Sequence, residues 1–166
     1  MKMANKTGIL PVTLSFSGYA ANRENTTRLS VLYVDENPML LDVVCRYLEK
    51  DGEMMVDLSL SVEDAIEKMR YITYDVIVTD YNFEDGSGNS LLVFLRNHGN
   101  LVPFVYFVLS RSPGIEEEAR QFGGVSFVEK THNGPKSAIE NLYLKIHAAV
   151  KSEKTTISPA SEKTSD

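Results

Sequence analysis

Four places in this 166-residue chain set a charged or hydroxyl side chain at the end of a short apolar run. Asp35 and Glu36 follow the run Ser30 to Val34, Asp80 ends the stretch begun by Val76, Ile77 and Val78, Ser110 closes Pro103 to Leu109, and Glu129 and Lys130 follow Val125 to Val128. Three carboxylates brought to one place repel one another and raise one another's proton affinity unless a cation joins them. A hard divalent ion, Mg²⁺ or Mn²⁺, suits such a set, because Mg²⁺ takes one or two carboxylates and fills its other positions with water and phosphate oxygens. A carboxylate is also a nucleophile that can form an aspartyl phosphate. The loose transition state of that transfer asks mainly for charge neutralisation and positioning, which Lys130 and the Ser110 hydroxyl can supply. Asp80, in the stretch YDVIVTDYNFEDGSG, is the candidate acceptor.

Those residues meet only if the chain brings its apolar runs side by side. From Leu29 onward strand-like and helix-like segments alternate five times. Asn37 can cap a helix that opens on Pro38 and carries Leu41, Val44, Cys45 and Leu48 on one face. Ser61 with Asp64 opens a second, Ser112 with Pro113 opens a short fourth that Gly123 and Gly124 end, and Pro135 opens a last helix striped by Ile139, Leu142, Ile146 and Val150. Such alternation predicts an α/β fold with a parallel sheet, right-handed crossovers and helices on both faces, so every strand ends at the same rim. In the flavodoxin-like doubly wound order 2-1-3-4-5, with five strands and five helices, strands one and three flank the switch point, and Asp35 and Glu36 face Asp80 across it.

Composition limits the alternatives. A formal net charge of -6, with no basic helix, argues against a nucleic-acid-binding surface. No apolar run reaches the length of a membrane span, and a single cysteine, Cys45, fits a reducing, cytoplasmic setting. Residues 1–28 read as an N-terminal extension, 29–151 as one domain, and 152–166, rich in Ser and Thr, as a disordered tail.

The ordered set Asp35, Glu36, Asp80, Ser110, Phe127 and Lys130 resembles the receiver domain of two-component response regulators, over roughly Leu29 to Lys151. The phrases TDYNFEDGSG and FVLSR are similar to receivers of methanogenic archaea. The resemblance implies that Asp80 takes a phosphoryl group from a histidine kinase or phosphotransfer protein. It further implies that Mg²⁺ is bound by Asp35, Glu36, Asp80 and the backbone carbonyl of Asn82, and that Ser110 and Phe127 form the switch. Some positions depart from the commonest pattern: Glu36 replaces a second aspartate, Glu84 stands where proline is frequent, Arg111 follows the switch serine where a small residue is usual, and Thr131 replaces a proline after Lys130. Arg111 and Glu84 are therefore expected to modulate access to Asp80, and the Lys130–Thr131 bond is expected to be trans, since a cis bond before a non-proline costs about 3 kcal/mol.

The implied role is signalling, with no enzymatic activity beyond self-catalysed phosphoryl transfer and hydrolysis, acting on a downstream protein effector. Its expected output face is the fourth helix, fifth strand and fifth helix, with Tyr106, Ile115, Phe127 and Tyr143 responding together and a homodimer as one partner arrangement. Two other readings remain: a degenerate receiver that binds proteins without phosphorylation, and an aspartate-nucleophile, Mg²⁺-dependent phosphatase. The latter class places a second acid two residues after its nucleophile, where this chain has Asn82. Glu116, Glu117 and Glu118 read as a solvated helix face. His98, His132 and His147 have no partners at zinc-ligand spacing.

Overall fold

A computed structural model describes residues 28–156 apart from 85, 124, 132 and 133; the expected extension before residue 28, most of the expected tail, His132 and Gly124 lie outside the described residues. Its elements run β1 Leu29–Val34, α1 Pro38–Leu48, β2 Met54–Ser59, α2 Val62–Met69, β3 Val76–Thr79, β4 Asn82–Phe83, β5 Gly86–Ser87, α3 Gly88–Asn97, β6 Phe104–Val108, α4 Pro113–Arg120, β7 Val125–Glu129 and α5 Pro135–Thr156. Five strands form one parallel sheet in the order β2-β1-β3-β6-β7. Counting only those five, this is the expected order 2-1-3-4-5. The segment after Asp80 holds a small antiparallel hairpin, β4 with β5.

The central strands are buried on both faces, which is why they read as unbroken apolar runs. Val31 and Tyr33 point into a core shared with Leu41, Val44 and Leu48 of α1 and Leu142 and Ile146 of α5. Leu32 and Val34, one residue out of phase, join the opposite core with Ala65 of α2, Leu91, Leu92 and Leu95 of α3, and Ala119 of α4. Three layers result, helices on sheet on helices.

Local signals set the helix starts. The Asn37 side chain accepts from the backbone N–H groups of Met39 and Leu40, both at 3.1 Å. Ser61 accepts from Asp64 at 3.1 Å and Ser112 from Ile115 at 3.3 Å. Each cap sits just past a strand end, turning the chain back over the sheet within a few residues. α5 continues to Thr156, five residues past the boundary at 151 that the polar composition suggests. The apolar stripe fixes where the helix packs, while its last turns need only helix-compatible residues.

Gly88 is required by packing. A Cβ there would lie 1.9 Å from the carbonyl oxygen of Asp80, because the start of α3 presses directly on the end of β3, and the Gly88 N–H donates to the Tyr81 carbonyl at 2.7 Å. Backbone cannot yield as a flexible side chain would. Gly88→Ala is therefore expected to destabilise the protein by about 2 to 3 kcal/mol, the scale of overpacking a tight site. Urea unfolding of wild type and variant measures it.

Candidate functional site at the carboxyl rim of the sheet

Register brings the charged residues together. Val34 pairs with Thr79, so Asp35 and Asp80 each stand one residue past the last rung shared by β1 and β3. The ladder continues through those residues' own amides: Asp80 N–H donates to the Val34 carbonyl at 3.1 Å, and Asp35 N–H to that of Ser59 at 3.0 Å. On the far side Val108 pairs with Glu129, and Lys130 N–H donates to the Val108 carbonyl at 2.7 Å. Neighbouring strands lie about 4.8 Å apart. Residues 35, 80 and 130 are thus fixed at one rim by backbone hydrogen bonds before their side chains interact.

The Lys130 ammonium bridges the acids. It donates to Asp35 Oδ2 at 2.8 Å and makes a close ion pair with Asp80 Oδ2. Lys130 and Asp35 side chains are only 9% and 4% exposed, which removes the solvent screening that makes surface pairs weak. Both oxygens of Asp35 are engaged: Oδ2 also accepts from the Tyr33 hydroxyl at 3.0 Å, and Oδ1 from the Asn37 N–H at 2.9 Å. Asp80 Oδ1 accepts from the N–H of Tyr81 at 2.6 Å and more distantly of Asn82 at 3.4 Å. Both acids are held in fixed orientations by neighbours on separate elements.

The remaining sequence candidates occupy the same rim but are engaged differently. Exposed Glu36 accepts through Oε1 from the Glu84 N–H at 2.8 Å, so it ties the hairpin to the β1 end. Among the described residues no three Asp, Glu, His or Cys side chains surround one point as a metal site. What is present is a pair of hard-oxygen donors, Asp35 and Asp80, that already share one cation position; a Mg²⁺ site commonly needs no more than one or two carboxylates, so the donor set fits that ion. Ser110 is exposed on the loop after β6. That loop is tied to the end of β7 from both sides, by the Thr131 hydroxyl donating to the Leu109 carbonyl at 3.2 Å and by the Arg111 N–H donating to Glu129 at 3.1 Å. The expected trans bond at Lys130–Thr131 is found.

Arg111 extends toward α4. Its Nε donates to Glu116 at 2.6 Å, and its guanidinium lies 5.6 Å from the centre of the Phe127 ring. The Arg111 hydrogen bond holds the Glu116 carboxyl below the usual range. Phe127, half-buried, stacks at 5.1 Å on fully buried Tyr106. Tyr106 and Phe127 lie on one side of the sheet, but Tyr143 does not join them: it packs against the opposite core and donates to Asp51 and Glu53 at 2.6 and 2.8 Å. Helical spacing alone does not say on which side of a sheet a helix packs.

Sequence reasoning missed Tyr33, Tyr81 and Asn89 as site residues. Only Tyr33 carried a signal, a hydroxyl-bearing ring in an otherwise aliphatic strand two residues before Asp35.

Comparisons with known proteins bear on the family and the fold. The model of the response regulator receiver domain matches residues 31–140, and the chain belongs to that family of signalling domains. An Arabidopsis thaliana chain bearing the name two-component response regulator is 28% identical over 123 residues, covering 70% of this chain and 21% of that one. The protein-glutamate methylesterase/protein-glutamine glutaminase 2 of Koribacter versatilis is 24% identical, covering 76% of this chain and 35% of that one. This chain thus spans about a fifth and about a third of these relatives. The response regulator domain of Thermotoga maritima CheB superposes with a TM-score of 0.66 at 22% identity, covering 80% of this chain and 99% of that one, which shows the shared fold.

Two expectations follow. Lys130→Met leaves two closely held carboxylates without their cation, and should cost about 3 kcal/mol, the scale for breaking a buried pair. Adding Asp80→Asn should restore much of that loss, as denaturant unfolding at neutral pH will measure. Burial, then the charge of Asp35 and the hydrogen bond to it, pushes the Tyr33 hydroxyl well above the usual phenol range, and burial does the same to Tyr106. A group raised on folding contributes its stability below the unfolded value and loses it as pH rises, so unfolding free energy should fall above about pH 10. Tyr33→Phe should flatten that decline.

Proposed function

We propose that the chain is a phosphoacceptor receiver in which Asp80 takes a phosphoryl group from a histidine kinase or phosphotransfer protein. The observation that carries this reading is the shared contact of Lys130 with Asp35 and Asp80 at the strand-end rim. An Asp80 carboxylate oxygen forms the new O–P bond as the P–N bond of the donor phosphohistidine breaks, and the donor imidazole leaves as the neutral base after taking up a proton. Lys130 is in place to neutralise the phosphoryl oxygens, and Ser110 offers a hydroxyl from the neighbouring loop.

Asp35 and Asp80 would hold Mg²⁺, or Mn²⁺, with the Asn82 carbonyl; Glu36 would reach it by leaving the Glu84 amide or through a bound water. The ion would supply charge neutralisation to the phosphoryl group. Arg111 and Glu84 border the approach and tune the rate of transfer. Signalling passes to a protein effector through the α4, β7 and α5 surface, where Phe127 rests on Tyr106. A second copy of this chain is one candidate for that partner. The acidic balance of the chain supports a protein target over nucleic acid, and no described helix is long and apolar enough to cross a membrane. A cytoplasmic location is consistent with a lone thiol in Cys45.

Intact-mass measurement after incubation with acetyl phosphate and Mg²⁺ tests the reading. Wild type should gain one acid-stable, base-labile phosphoryl group, and Asp80→Asn should gain none. Failure of wild type to gain it would favour a receiver that binds partners unphosphorylated.

A further inference from the structure

The run Glu116, Glu117, Glu118 is not the uniformly solvated face that its sequence suggests. Glu118 accepts from the Tyr81 hydroxyl at 2.8 Å and from the Asn89 side-chain amide at 2.5 Å. Asn89, 5% exposed, accepts in turn from the Tyr106 hydroxyl at 3.0 Å, and Tyr106 carries Phe127 on its ring. Tyr81 directly follows Asp80, and its N–H donates to that carboxylate. Two residues earlier on α4, Glu116 holds Arg111, which follows Ser110. Glu117, between them, has a side chain 71% exposed and meets Arg120 of its own helix at 3.6 Å.

We propose that Glu118 and Glu116 fasten α4 at two points, Glu118 to the segment that follows Asp80 and Glu116 to the loop that carries Ser110. Packing alone holds α4 weakly. Among its eight residues only Ala119 is fully buried, whereas α5 inserts Ala138, Ile139, Leu142, Ile146 and Val150 into the core. Where apolar burial is small, charge-assisted hydrogen bonds set the position of a helix. Glu118 is then a positioning residue. It makes the place of α4 depend on the Tyr81 backbone, and so on what occupies the Asp80 carboxylate. That last dependence rests on the function proposed above; the fastening itself does not.

Hydrogen–deuterium exchange on the full chain, first without any phosphoryl donor, tests the fastening alone. Glu118→Ala should raise exchange in α4 and in residues 81–84 by about tenfold, the loss of one to two charge-assisted hydrogen bonds. Glu117→Ala should match wild type. Tyr81→Phe changes nothing on α4 itself, yet should raise α4 exchange as well, and Glu116→Ala should loosen α4 together with residues 109–112. Equal α4 exchange in Glu118→Ala and Glu117→Ala would overturn the proposal, as would a Tyr81→Phe protein with wild-type exchange in α4. In a second arm, acetyl phosphate with Mg²⁺ should alter α4 exchange in wild type and change it less in Glu118→Ala. If Asp80 takes no phosphoryl group, that arm repeats each protein's own donor-free exchange, and the donor-free comparison still decides the fastening.

Discussion

One ammonium shared by two carboxylates is the constraint on which this structure turns. Asp35 and Asp80 sit on adjacent parallel strands, one residue past their last common rung. At a separation of roughly 5 Å and an effective dielectric of about 20, their mutual repulsion is on the order of 3 kcal/mol. Lys130 offsets it from a third strand end, fifty residues away from Asp80 in sequence, while the Tyr33 hydroxyl shares Asp35 Oδ2 with it and the Asn37 N–H at the start of α1 donates to Oδ1. The sheet's register, the helix starts and the lysine all have to be in place for the acids to coexist.

The two faces of the sheet play different parts around that rim. On one, α1 and α5 pack with long apolar stripes and give a firm base. On the other, α4 is shallowly buried and its neighbours are joined by a chain of hydroxyl and amide groups running from Tyr106 through Asn89 to Glu118 and Tyr81. Shallow packing means low local stability, so this is the side that can rearrange without unfolding the domain. The stacked pair Tyr106 and Phe127 and the Arg111 guanidinium over Phe127 belong to that side too. The charged rim and the shallowly packed helix are thus adjacent but are held by different forces.

The departures from the common receiver pattern acquire physical roles here. Arg111, bulky where a small residue is usual, is engaged by Glu116 and covers Phe127. Thr131, in place of proline, uses its hydroxyl to tie the loop after Lys130 to Leu109. Glu36, in place of a second aspartate, uses its carboxylate to accept from the Glu84 amide.

Much of this was written in local sequence. Periodicity marked the five strands and five helices; Asn37, Ser61 and Ser112 marked where helices begin; and the strand ends marked Asp35, Glu36, Asp80, Ser110 and Lys130 as one set. These features depend on neighbours within a few residues, so a linear reading can find them. Tertiary structure decided which partners those residues take. The match of Val34 with Thr79 and of Val108 with Glu129 fixes the spacing of the acids and the lysine, and the crossing of α3 over Asp80 makes Gly88 necessary. It also turned an apparently solvated glutamate run into contacts with Arg111, Tyr81 and Asn89, and set Tyr143 against the far core. Side-chain partners dozens of residues apart are chosen by how helices settle on the sheet, and that packing energy has no counterpart in any short stretch of chain.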